Sequence, residues 1–155
     1  MCDVNINDAT MKAKELNGSA YYMDVSDSSN VVEIFKKVHS EYKQLDILVN
    51  NAGINGFEDR EDLLIDRIKV NNLQSKEFTE TGKIKSHFDV TVNMSDEEWH
   101  KMISIHLNGT FFCTRESLKI MNNQIQGSII NMGSVLGTTG GPSSCLLYTS
   151  PSPRD

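Results

Sequence analysis

Two carboxamides and two small residues, Asn50-Asn51-Ala52-Gly53, follow directly on the apolar run Ile47-Leu48-Val49. Asparagine offers donors and acceptors together, while alanine and glycine let a flat molecule come close to the backbone. A plain tight turn explains Gly53 but not two consecutive asparagines after an apolar strand. At the carboxyl end of a strand in an open α/β sheet, such a set lines the crevice where a ligand binds. A second apolar run, Gly127-Ser128-Ile129-Ile130-Asn131-Met132, leads into Gly133-Ser134. Gly133, Gly137, Gly140 and Gly141 superficially resemble a phosphate loop, but no Lys-Ser or Lys-Thr pair follows them. Metal chemistry is not suggested. His39, His87, His100 and His106 lack ligand spacing, and Cys2, Cys113 and Cys145 are odd in number with no Cys-x-x-Cys.

The elements that must hold these groups read as alternating strands and helices. Cys2-Asp3-Val4-Asn5 is the tail of a strand, and a helix over about 8–16 is closed by Asn17-Gly18. Ala20-Tyr21-Tyr22-Met23 is a short strand ending at Asp24-Val25. Val31, Phe35, Val38 and Tyr42 form one face of a helix opened by Ser26-Asp27-Ser28. The strand 47–49, expected to be buried, completes a β-α-β-α-β order, which implies a parallel sheet with right-handed crossovers. Within 58–92, Leu63, Leu64, Ile65 and Ile68 suggest a short amphipathic helix. The polar, aperiodic run 71–85 reads as a surface excursion, and a loop this long is usually functional or disordered. Ser95 and Glu98 form a capping box. The helix after them should run from 96 to about 122 and bury Trp99, Met102, Ile103, Leu107, Thr110, Thr114, Leu118 and Met121. Gly109 weakens that helix by roughly 1 kcal/mol relative to alanine, which suggests close packing against another helix.

Bulk properties narrow the class. The 155 residues, 38% hydrophobic and 23% charged, fit one soluble globular unit. A net charge of −6 with no basic stripe argues against a nucleic-acid surface. No apolar run reaches the length of a membrane span and no signal peptide opens the chain, so the expected compartment is reducing and cytoplasmic.

The Asn50-Asn51-Ala52-Gly53 run is similar to the NNAG signature of the short-chain dehydrogenase/reductase family, whose members use NAD(H) or NADP(H). Further matches follow in order along residues 3–144, excluding a surface insertion at about 58–92. The resemblance implies a doubly wound α/β fold of Rossmann type. Asp3, at the end of the family's second strand, would accept hydrogen bonds from the adenosine ribose; its carboxylate would repel a 2′-phosphate and so favour NAD(H). A solvated strand-end aspartate is the plainer alternative. Asp24-Val25 resembles the pair that meets the adenine ring, although Asp24 also suits the N-cap of the next helix. Asn51, Ala52 and Gly53 would line the cofactor crevice. Ser134 matches the catalytic serine, which would hold the substrate oxygen by a hydrogen bond rather than act as a nucleophile; a serine that merely ends a strand is the alternative.

Ile105-His106-Leu107-Asn108-Gly109-Thr110-Phe111 matches the family pattern N-L-x-G-x-F, with His106 where the catalytic asparagine stands. That substitution resembles the branch containing the 3-hydroxyacyl-CoA dehydrogenase units of multifunctional β-oxidation enzymes. An imidazole can bind a water in a proton relay, or pack as an ordinary helix histidine. Asn108 lies about 200° round the helix from His106 and cannot replace it.

Both ends depart from the family pattern. No glycine-rich TGxxxGxG turn, which would hold a pyrophosphate, precedes Cys2. Tyr148 stands 14 positions after Ser134, near the place of the family's Tyr-x-x-x-Lys tyrosine, but Ser152 occupies the lysine position. Pro151 and Pro153 would break the helix that must carry the pair. Residues 145–155 resemble translated sequencing adapter, so Tyr148 is read as coincidental and the tail as non-native. The resulting expectation is a parent oxidoreductase, acting on a carbonyl or secondary alcohol such as a 3-oxoacyl thioester, whose present chain is inactive. A homodimer or homotetramer through the long helix is what the family implies. The alternative is a non-catalytic fragment that binds nucleotide or partner chains. The 58–92 stretch is expected to be a solvated insertion, with a lid over the substrate cleft as the other possibility.

Overall fold

The computed structural model describes residues 1–56 and 60–134. The chain divides into two compact units, Met1–Gly53 with His100–Met132, and Ile54–Trp99 with Gly133–Asp155.

The first unit is a partial doubly wound α/β fold. β1 (Cys2–Asp3) pairs in parallel with β2 (Tyr21–Tyr22), and β3 (Ile47–Asn50) in parallel with β4 (Ser128–Asn131). Between β1 and β2 runs α1 (Ile6–Glu15), two residues earlier at its start than the sequence suggests. Asn5 makes that earlier start by accepting the Asp8 amide at 3.3 Å. The helix stops where Asn17 turns left-handed (φ 54°) and the Gly18 amide reaches the Ala13 carbonyl at 2.7 Å. Its buried Ala9 and Ala13 serve the contact with β1 and β2.

α2 (Ser28–Tyr42) begins at Asp27, whose carboxylate accepts the Ser29 amide at 2.8 Å and the Asn30 amide at 3.2 Å. Its Val31, Ile34 and Phe35 pack with Tyr21, Met23, Cys113 and Ile120, and with half-buried Val38 and Leu48. Tyr42, placed on that face by periodicity, is exposed and pairs its hydroxyl with Ser19 Oγ at 2.6 Å. The tyrosine tip reaches past the helix end to a polar partner, so its ring need not be buried. Inside the core edge, the Tyr21 hydroxyl donates to Glu41; burial, with that bond, raises its pKa.

β3 departs from the expectation of a buried strand. Leu48 joins the core, but Ile47 and Val49 on the opposite face are 59% and 50% exposed, and Ile130 beside Val49 is 47% exposed. Side chains alternate across a strand, and the helices packed here cover one face only.

The long helix is present but not uniform. α5 (Asp96–Ile103) passes into a π-helical turn, Ser104–Gly109, and on into α6 (Thr110–Gln124). Beyond that wide turn the buried positions are Gly109, Cys113, Glu116, Ser117, Ile120 and Met121. Leu107 and Leu118, expected inside, are exposed, and Trp99 is at the surface too. The π turn shifts the register of everything after it, and one residue is about 100° of helix. Gly109 does serve close packing, though against the Val25 loop rather than another helix.

In the second unit, α3 (Glu61–Thr81) runs for 21 residues, so the expected short helix continues through the stretch read as an excursion. Gln74, Lys76, Glu77 and Glu80 are good helix formers, and the hydroxyls of Ser75, Thr79 and Thr81 donate to carbonyls four residues back, so the helix continues where apolar periodicity is lacking. None of its residues is buried. It ends at Gly82 (φ 66°). Glu77 then takes the Lys85 and Ser86 amides (2.8 and 3.0 Å), bonds that lower its pKa. A short α4 (Val90–Asn93) precedes the capping box, which forms as read: the Ser95 amide donates to Glu98 at 2.8 Å, and the Glu98 amide to Ser95 Oγ at 3.1 Å. Among the described residues no helix is long and apolar enough to cross a membrane.

Candidate functional site

The site is built at the carboxyl ends of the strands. Asp3 closes β1, is exposed, and uses one carboxylate oxygen to accept the Asn5 amide at 2.8 Å. Asp3 lies opposite Tyr22, and the Met23 amide donates to the Asp3 carbonyl at 3.1 Å. The two strands are parallel, so Asp24-Val25 leaves the sheet at the end Asp3 marks. Asp24 Oδ1 accepts the Ser26 amide (2.9 Å) and hydroxyl (2.7 Å), closing a tight polar turn. It does not cap α2; Asp27 does, because the turn around Ser26 spends three residues before the helix begins.

The second pair of strands carries a side-chain clasp that sequence reading missed. Asn50 and Asn131 are opposite one another, and Asn50 Nδ2 donates to Asn131 Oδ1 at 2.8 Å and to Thr114 Oγ1 at 3.1 Å. The Met132 amide donates to the Asn50 carbonyl at 3.2 Å, one further rung of the ladder. An asparagine closing each of two apolar runs was the available signal. Beyond the clasp, Asn51, Ala52 and Gly53 are all exposed.

The π turn touches both sets. A Cβ added to Gly53 would sit 2.7 Å from His106 Cε1 and 3.3 Å from Nδ1, so the imidazole lies directly on the Gly53 backbone. A Cβ added to Gly109 would sit 2.7 Å from Val25 Cγ2 and 2.9 Å from Val25 Cβ. Val25, Gly53 and His106 are therefore brought to one turn. Asn108 is exposed. Ser134 is half-buried, three residues past the end of β4, and falls in the second unit. Tyr148 lies outside the described residues. Cys113 is a packing residue: burial, with a smaller contribution from Cys2, pushes its thiol up to about 11. Among the described residues no cluster of His, Cys, Asp or Glu could hold a metal.

Parallel strands whose carboxyl-end loops meet at one turn define a doubly wound α/β domain with its crevice at the strand ends. The family model of short chain dehydrogenases matches residues 1–76 and 80–150, and the chain belongs to that family. It is 31% identical over 132 residues to 3-oxoacyl-(acyl-carrier-protein) reductase FabG of Staphylococcus aureus strain Mu50, covering 85% of this chain and 41% of that protein. It is also 31% identical over 139 residues to 3beta-hydroxysteroid dehydrogenase of Mediterraneibacter gnavus, covering 88% of this chain and 39% of that one. Among solved structures, ElxO with NADP bound superposes with a TM-score of 0.61 at 28% identity, over 90% of this chain and 46% of that chain. The chain thus spans less than half the length of these relatives.

Proposed function

We propose that this chain carries the cofactor crevice of an oxidoreductase that moves hydride between a nicotinamide dinucleotide and a carbonyl or secondary-alcohol carbon. The observation that carries this reading is the meeting of Val25, Gly53 and His106 at the π turn, on the carboxyl edge of the strands. The residues present fit such a cofactor. The second oxygen of Asp3 would accept from the adenosine ribose, Val25 would meet the adenine, and exposed Asn51-Ala52-Gly53 would admit a flat ring. Bound there, the dinucleotide would supply or accept the hydride. Ser134 would donate a hydrogen bond to the substrate oxygen, and His106 would hold a water for proton transfer.

The substrate class is a 3-oxoacyl thioester or its 3-hydroxy form, supported by the His106 pattern and by the FabG relative. The hydroxysteroid dehydrogenase relative makes a steroid alcohol the runner-up. Asp3 supports NAD(H) over NADP(H), by charge repulsion of a 2′-phosphate, against the precedent of the NADP-bound neighbour. With Ser152 in the lysine position, the chain as it stands is read as binding cofactor without turnover. Three dispersed cysteines suit the reducing cytoplasm. The outward row Leu107, Phe111 and Leu118 suits pairing of two copies along the long helix. Titrating the chain with NADH and NADPH by fluorescence tests the reading: NADH should bind more tightly, and Asp3→Asn should narrow the difference. Binding of neither dinucleotide would reject the cofactor assignment. Turnover of acetoacetyl thioester would reject the inactivity.

A further inference from the structure

The π turn does more than carry His106. Gly109 has ordinary helical angles (φ −59°, ψ −48°), so its backbone does not require glycine. A glycine inside a helix weakens it by about 1 kcal/mol relative to alanine. Space is what demands it: the Val25 side chain fills the volume a Cβ would take, and the atoms in the way include Val25 Cβ and, at 3.3 Å, its carbonyl oxygen. Those atoms belong to the loop's own backbone neighbourhood and do not swing aside. Three residues earlier in the same turn, His106 is in equally close approach to Gly53. The Thr110 hydroxyl ties the turn together by donating to the His106 carbonyl at 2.8 Å. π-helical turns are rare and concentrate at functional sites.

We infer that the π turn Ser104–Gly109 is a positioning element that fixes the Asp24-Val25 loop relative to the Asn51-Ala52-Gly53 loop, with Gly109 and His106 as its two bearing points. An uninterrupted α-helix would present different residues after the turn and could not place both at once. Under the proposed function, this sets the adenine-side and nicotinamide-side edges of one crevice. The inference rests on that reading only for its consequence in binding.

The test uses the full chain with Gly109→Ala, Val25→Ala, their double variant, and His106→Ala, which removes atoms from Gly53 without adding any elsewhere. Hydrogen–deuterium exchange is read over 23–27 and 51–54, together with thermal midpoints and affinities for 5′-AMP and the dinucleotides. Gly109→Ala should speed exchange in both segments, although the atoms nearest its new Cβ are all Val25's, and Val25→Ala should restore both in part, because it removes Cγ2 at 2.7 Å and leaves Cβ at 2.9 Å. His106→Ala should speed exchange in 23–27 as well as 51–54. AMP and dinucleotide affinity should fall together by about fivefold or more in Gly109→Ala, within the usual range of site-to-site coupling. Changes confined to the segment each residue touches would overturn the inference. So would failure of Val25→Ala to rescue exchange at an unchanged midpoint. Should Gly109→Ala not fold, His106→Ala decides alone. If the unaltered chain binds neither nucleotide, the cofactor reading fails while the exchange data still decide the π turn.

Discussion

The Asn50 clasp gives a prediction whose sign depends on which atom donates. Asn50 Nδ2 serves two acceptors, Asn131 Oδ1 at 2.8 Å and Thr114 Oγ1 at 3.1 Å. Each such bond contributes about 0.5–1.5 kcal/mol net, so Asn50→Ala should cost about 2 kcal/mol. For a chain of this size that lowers the thermal midpoint by about 4–8 °C. Asn50→Asp keeps the shape and reverses the chemistry. The introduced carboxylate cannot donate and faces the Asn131 carbonyl oxygen across the former bond, so near pH 7 it should be less stable than the alanine variant by about 1 kcal/mol. Only its protonated form can donate, which raises its folded pKa above the ordinary aspartate value near 3.9. The folded state then binds more protons than the unfolded one as pH falls, and the deficit against wild type should shrink between about pH 6 and 4. Urea titrations followed by circular dichroism at several pH values measure this. Asn50→Asp matching Asn50→Ala at pH 7, with a gap to wild type flat across pH, would refute the donor assignment.

Three further outcomes are expected. Ser95→Ala removes one half of the capping box and should cost about 1 kcal/mol, seen as faster amide exchange in the first turn of α5. Ile125, a β-branched residue held at φ 61° and almost fully exposed, should give a gain of about 1 kcal/mol on replacement by glycine, measurable as a higher urea midpoint. Burial of Glu116 raises its pKa, but bonds from Lys119 (2.6 Å) and Arg115 (2.8 Å) outweigh this and leave it below the usual 4.5. That stabilisation is present above pH 4.5 and is lost as pH falls through the depressed value, so Glu116→Gln should flatten the acid limb of the stability profile.

Much of the frame was legible from residue order. The apolar runs ending in Asn50 and Asn131 named β3 and β4, the Asn17-Gly18 stop ended α1, and Ser95 with Glu98 started α5. What escaped has identifiable causes. Periodicity cannot announce a π turn, because Ile105-His106-Leu107-Asn108 reads equally well as α-helix; Leu118, expected inside, was therefore turned outward while Cys113, Ser117 and Ile120 took the buried face, although Met121 is buried as expected. Burial of Ile47 and Val49 was inferred from composition, which cannot say whether a face is covered. The helix through 71–81 was missed because it has no apolar stripe and none of its residues is buried. In the site, Gly53 and His106 were each legible as motif positions. Their direct contact, and that of Gly109 with Val25, depend on separations in space that no spacing in the chain encodes.

The bare side of β3 and β4 has a consequence for handling the protein. Ile47, Val49, Ile130 and Met132 expose contiguous greasy surface, and what opposes self-adhesion is the net charge of −6. Acidification toward neutrality, or salt strong enough to screen that charge, should turn a clear solution cloudy. Lysine in place of Val49 should keep it clear.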